Sequence, residues 1–211
     1  MSEARLEHAP THAQEAHGGH GAHRHLDPVK VDNLKFAMWL FLASEVIIFT
    51  VLIATYVIFR IHNPEVVKEV HETAGVLLVS INTFLLLTSS WTMVMGLRAI
   101  QMGDQRGLVR WISMTAVLGV VFVALQGVEY SILAAAGIAI YNSEFGMRFY
   151  APTALHGAHV IAGVIWALYV VRNGLRGAYS PTNYVGVEVF GLYWHFVDVV
   201  WIVLFTLIYL V

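Results

Sequence analysis

Five long apolar runs separated by short polar stretches set the pattern of this chain, at about 34–59, 74–97, 111–140, 149–171 and 186–211. Each reaches the roughly 20 residues that an α-helix needs to cross about 30 Å of hydrocarbon. None alternates with the two-residue period of a barrel strand, and an open strand would leave backbone groups unpaired in lipid. The pattern predicts an all-α polytopic membrane protein, a bundle of five transmembrane helices. The connections at about 60–73, 98–110, 141–148 and 172–185 are short and polar, with Pro64 and Pro181 as breakers.

Composition agrees. Of 211 residues, 58% are apolar and 12% charged, where a soluble domain has roughly 45–50% and about 25%. That excludes a soluble enzyme and a disordered scaffold. A net charge of -2 supplies no polycationic surface, so no nucleic-acid partner is expected. The chain has no cysteine, which excludes disulfides, thiolate metal sites and cysteine nucleophiles.

Residues 1–33 differ from the rest. They hold His8, His12, His17, His20, His23 and His25 in an Ala, Gly and Glu background. No apolar run exists there, so this is not a signal peptide. It reads as a mobile cytoplasmic tail preceding a membrane domain at 34–211. Neutral imidazoles in such a tract either scavenge zinc or copper or stay solvated without a dedicated ligand. Lys and Arg set the orientation. Nine fall on the side of the N-terminus and three on the other, which predicts a cytoplasmic N-terminus and an outer C-terminus.

Ionisable groups inside a span cost several kcal/mol against lipid, so they should face the bundle. Glu188, Gly191, His195 and Asp198 recur at helical spacing and form one stripe. His156, His159 and Gly163 form another. Gln126, Glu129 and Tyr130 sit together on the third span, and Asn82 with Thr88, Ser89 and Ser90 gives the second a polar side. One reading is a metal or haem site. Its pairs are His-x-x-His and His-x-x-Asp rather than Glu-x-x-His, however, and His156 and His195 are expected at different depths. The other reading is a set of hydrogen bonds locking helix to helix, each about 0.6 kcal/mol. Glu45, near the midplane of the first span, is either a carboxyl gate for protons or an acid bonded within the bundle or against a partner subunit. The tryptophans Trp39, Trp91, Trp111, Trp166, Trp194 and Trp201 read mostly as interface anchors or packing groups, and span Met and Phe residues as lipid contacts.

Five segments in order carry a resemblance. They are Trp39–Phe49 with its glutamate; Asn82-Thr83 followed by 87–92; Gln126-Gly-Val-Glu129-Tyr130; Phe149-Tyr150 followed by His156-Gly-Ala-His159 and Gly163; and Tyr193-Trp-His-Phe-Val-Asp198-Val-Val-Trp201. The chain resembles subunit III of the haem–copper cytochrome c oxidases, from about residue 35 to its end. Long members have seven helices, so this looks like the short form with the last five. The resemblance implies a non-catalytic subunit packed on catalytic subunit I, with subunit II and other oxidase subunits in the same complex. Haem and copper would lie in those partners, and this chain would carry no cofactor of its own. It implies a role in stabilising the catalytic subunit and supporting proton uptake, with bound phospholipid, in an aerobic respiratory complex of a bacterial plasma membrane. Glu45 takes the family's intramembrane glutamate position; Glu129, His156, His159, Glu188, His195 and Asp198 match its buried polar positions. The alternatives are the equivalent subunit of a quinol oxidase, a nitric oxide reductase-associated protein, an independent small transporter, and a metal-delivery protein using the histidine tail.

Overall fold

The computed structural model describes residues 28–64, 76–137 and 144–210. The six tail histidines lie outside the described residues, as do parts of the first and third connections. Five helices follow: α1 (Pro28–His62), α2 (Val76–Gln101), α3 (Gln105–Ala135), α4 (Glu144–Leu175) and α5 (Val185–Phe205), the last closing in a π-helical turn, Thr206–Leu210. All five are long and apolar enough to cross a membrane. Among the described residues there is no strand, only an isolated bridge between Ser180 and Asn183 in the α4–α5 connection.

α1 and α4 outrun their apolar runs at both ends, whereas α3 starts six residues before its run and ends sooner, at Ala135. α3 has 31 residues, about 46 Å at 1.5 Å per residue. That exceeds the hydrocarbon and matches the roughly 40–45 Å of a bilayer with its headgroups. Hydropathy registers the part in oil, whereas the backbone bonds continue through the headgroup layer. The α2–α3 connection therefore shrinks to three residues. Gly103, at φ 81°, supplies the left-handed turn that L side chains rarely adopt. Asp104 then caps α3 by accepting the Gly107 N–H at 2.8 Å.

Helices α2, α3, α4 and α5 close on one another as a four-helix bundle, with α2 touching both α3 and α5, and α4 likewise. Its core holds Met93, Phe122, Phe149, Phe190, Trp194 and Trp201, none more than 1% exposed. Of the two readings of the tryptophans, Trp194 and Trp201 take that of packing groups, and one expectation is corrected: these Phe and Met side chains do not face lipid. The physical reason is size. Four helices that bring small residues together leave room for large rings between them. Ideal Cβ atoms at Gly119 and Gly163 would come within 2.8 and 2.7 Å of the Trp194 ring, so the indole is held between glycines on α3 and α4.

α1 stands outside this bundle and packs on α4 and α5. Of its buried positions, Leu42, Phe49 and Tyr56 repeat every seven residues, with Met38, Glu45 and Ile53 on the same seam. Only 11% of its most apolar window is buried within the chain, against 50% for α5. Most of α1 is thus left for lipid or a partner.

Candidate functional site

The polar side chains inside the spans are distributed along the helix contacts. On α2–α5, Trp194 Nε1 donates to Ser89 Oγ at 3.0 Å and Trp201 Nε1 to Thr83 Oγ1 at 2.9 Å. His195 Nδ1 lies 2.7 Å from Ser90 Oγ. On α2–α3, Asn82 donates to the Phe122 carbonyl at 3.2 Å, and the Thr92 and Thr115 hydroxyls meet at 2.8 Å. On α3–α4, Gln126 donates to the Thr153 carbonyl and Tyr130 to the Thr153 hydroxyl. Diagonally, Tyr209 donates to Glu129 Oε1 at 2.6 Å.

On α4–α5, Tyr193 donates to the His159 carbonyl at 2.9 Å, and His156 Nε2 donates to the Val197 carbonyl at 3.2 Å. A carbonyl only accepts, so that ring nitrogen carries the proton. The other ring nitrogen of the fully buried His156, Nδ1, has no hydrogen-bond partner. The Val197 contact corrects an expectation about depth. His156 lies level with a residue only two positions from His195, because α4 starts several residues before Phe149. The two rings nevertheless make different contacts, His156 with Val197 and His195 with Ser90.

α1 is tied to this bundle at three levels. Lys35 Nζ meets Glu188 at 2.7 Å near one membrane face. Glu45 Oε2 lies 3.2 Å from His159 Nε2 in the middle, both side chains largely buried. Arg60 Nη1 donates to the Leu207 carbonyl at 2.9 Å near the other face, satisfying a carbonyl that the end of α5 would otherwise orphan. The central pair has defined chemistry. His159 Nδ1 is 2.8 Å from the Leu155 carbonyl, so Nδ1 is a donor. If Nε2 and Glu45 were both bare, two lone pairs would face each other in low dielectric. One proton therefore belongs between them, on the acid or on the imidazole. Phe49 packs edge-on against the same imidazole, centroids 5.4 Å apart.

The exceptions are Tyr56, whose buried hydroxyl meets no partner, and Asp198. Asp198 is 4% exposed, and neither carboxylate oxygen makes a hydrogen bond. The Ser90 hydroxyl lies beside it without the geometry of one. Beyond it, His195 opens onto an apolar groove of about 400 Å³ between α1 and α5, lined also by Trp39, Val46, Leu192 and Phe196.

The structure thus separates what the sequence grouped. Glu188, His195 and Asp198 share a stripe but meet Lys35, Ser90 and no bonded partner respectively. Thr153, Tyr193 and Tyr209 are polar partners that sequence reasoning missed. Thr153 was discoverable, since it sits three residues before His156 and extends that stripe by one turn. Among the described residues, no three of His, Asp and Glu converge on a point that could hold a metal ion. The three intraspan histidines turn to Val197, to Leu155 with Glu45, and to Ser90. Among the described residues these histidines are thus spread over separate helix contacts rather than gathered as one donor set.

Fold and site together define a polytopic α-helical membrane protein whose intramembrane polar groups join helix to helix. The sequence matches the family described as cytochrome c oxidase subunit III over residues 14–211. It is 40% identical over 197 residues to cytochrome c oxidase subunit 3 of Synechocystis sp. (strain ATCC 27184 / PCC 6803 / Kazusa), covering 93% of this chain and 80% of that one. It is 36% identical over 189 residues to the Thermostichus vulcanus protein of the same name, covering 89% and 90%. Against quinol oxidase subunit 3 of Bacillus subtilis (strain 168) it is 34% identical over 172 residues, covering 82% and 84%. The chain belongs to the cytochrome c oxidase subunit III family, and so to an oxidase complex in a membrane.

Proposed function

We propose that this chain is the non-catalytic brace of a bacterial cytochrome c oxidase, packed chiefly on subunit I, with subunit II in the same assembly. Haem and copper belong to those partners, where oxygen is reduced. The chain stabilises the catalytic subunit during turnover, supports proton uptake and holds phospholipid. Its N-terminus faces the cytoplasm, in keeping with the excess of Lys and Arg on that side. Glu45, Glu129, His156, His159, Glu188, His195 and Asp198 act first as structural groups and are the candidates for any proton-linked role.

The observation that carries this reading is the division of polar contacts: each intraspan histidine bonds to backbone or to a side chain of a neighbouring helix. The free flank of α1, with Phe36, Leu40, Ile47 and Val51 exposed, supports a large partner in the membrane. The test is to purify the oxidase with and without this chain and follow oxygen consumption to exhaustion. Equal initial rates with a shorter working life in the depleted enzyme are expected. Loss of haem on removing the chain would overturn the reading.

The likeness to a quinol oxidase subunit favours a second reading in which quinol replaces cytochrome c as donor. Oxidation of each donor by the intact complex separates the two.

A further inference from the structure

Two ring nitrogens stand at the α1–α5 groove with no bonded partner among the described residues. The groove, of about 400 Å³, is lined by Trp39, Leu42 and Val46 of α1 and by Leu192, His195 and Phe196 of α5, a volume in the range of small-molecule sites. His195 Nδ1 is committed to Ser90 Oγ of α2 at 2.7 Å, which leaves the opposite edge of the ring to the groove. Nε2 on that edge has no hydrogen bond among the described residues, and neither has Trp39 Nε1. Unlike His156 Nδ1, His195 Nε2 is not sealed inside the protein. A polar ring nitrogen facing hydrocarbon is costly unless a hydrogen-bonding group meets it.

The place selects the chemistry of what could meet it. His195 lies seven residues inside Glu188 on α5, about 10 Å below the membrane face where Lys35 holds that glutamate. None of Lys, Arg, Asp or Glu is among the described residues that line the groove, so an ion brought to this depth finds no counter-charge. The occupant must be neutral, soluble in hydrocarbon, and equipped with oxygens for two walls. Phe196 offers an aromatic face for a flat ring. Ser90 adds a further feature. Its hydroxyl lies between His195 Nδ1 and the unbonded carboxyl of Asp198. Donating to Nδ1, it fixes the tautomer with the proton on Nε2, which then donates to a carbonyl. Turned toward Asp198, it accepts from Nδ1–H, and Nε2 becomes an acceptor for a hydroxyl. The same ring thus serves a carbonyl or a hydroxyl without carrying a charge in either case.

We propose that the α1–α5 groove binds a para-quinone or its quinol from the membrane, one oxygen on His195 Nε2 and the other on Trp39 Nε1, with the ring against Phe196. The guest exchanges with the membrane pool and is no redox centre of this chain. Its binding goes beyond the function proposed above and is independent of which donor feeds the complex.

The test illuminates the intact oxidase complex with an azido-1,4-benzoquinone bearing a decyl tail and scores label on the α1 and α5 peptides. One hydrogen bond is worth about fivefold in binding. Decylbenzoquinone, with two, should therefore displace the label about 25-fold better than decylbenzene, which has none. Trp39→Phe and His195→Phe should each weaken that displacement about fivefold, whereas His195→Gln keeps an N–H and should weaken it less. Val46→Trp fills the groove from an exposed position and should abolish the label with the core untouched, which keeps the test decisive where a His195 variant fails to assemble. Absence of label on both peptides in the assembled wild-type complex would overturn the proposal, the groove then belonging to a neighbouring subunit. Equal displacement by decylbenzene would overturn it as an apolar slot only, and displacement by decanoate as strong as by the quinone would overturn it as a fatty-acid site. Label that persists in Val46→Trp would put the probe outside the groove and overturn it as well.

Discussion

Gly163→Ala is the sharpest probe of the packing. The new Cβ would stand 2.7 Å from Trp194 Cζ3 and 2.8 Å from Cε3, short of ordinary carbon contact by about 0.8 Å. The indole has little room to recoil. A Cβ at Gly119 on the far side would already be 2.8 Å from Cη2, and Nε1 is tied to Ser89 Oγ at 3.0 Å. Overpacking of this kind costs about 1–3 kcal/mol. The full chain in mixed lipid–detergent micelles, unfolded with SDS and followed by helicity, would measure it. A double-mutant cycle with Trp194→Phe identifies the cause, because the single ring removes the crowded edge. The coupling should be about as large as the Gly163→Ala cost itself. A cost below about 0.5 kcal/mol, or one that persists with Trp194 removed, would refute the reasoning.

Other substitutions probe the polar contacts. Glu45→Gln can still donate to His159 Nε2, so oxidase assembly and proton movement per electron should be unchanged. Glu45→Ala leaves that nitrogen bare and should loosen α1 by about 1–3 kcal/mol in the same SDS titration. Slowed proton movement with Glu45→Gln in a fully assembled enzyme would instead make the carboxyl a gate. Asp198→Asn replaces a buried carboxylate that makes no hydrogen bond. It should be neutral or stabilising in that assay, and a loss above about 2 kcal/mol would mean the acid has a partner or role not accounted for. Trp201→Phe removes the bond to Thr83 and part of a fully buried ring. It should cost at least about 1 kcal/mol, read as a lower SDS midpoint and weaker retention on the oxidase.

The five spans were legible because the bilayer imposes length and hydropathy on each helix separately. Family membership was legible for a different reason: Tyr193–Trp201 and the other motifs keep their residue types in order. What hydropathy could not give was the facing. In an apolar span every side looks alike, so anchor and packing group could not be told apart for Trp194 and Trp201 until α2 supplied Ser89 and Thr83 as acceptors. Glu45 was visible from its charge, but its partner lies more than a hundred residues away on α4, and no local spacing encodes that distance. The start of α4 was misjudged by hydropathy, and this moved His156 relative to His195. Lys35 and Glu188 carried no signal as a pair, since each sits at the polar edge of its own span.

The central claim is that this chain braces a redox machine without holding a redox centre. Its most direct test is the optical spectrum of the oxidase purified through a tag on this chain, with His156, His159 and His195 each replaced by Gln in turn. The account predicts co-purifying subunits and reduced haem bands whose positions are the same in all variants that assemble. A band that shifts or disappears in an assembled variant would contradict it.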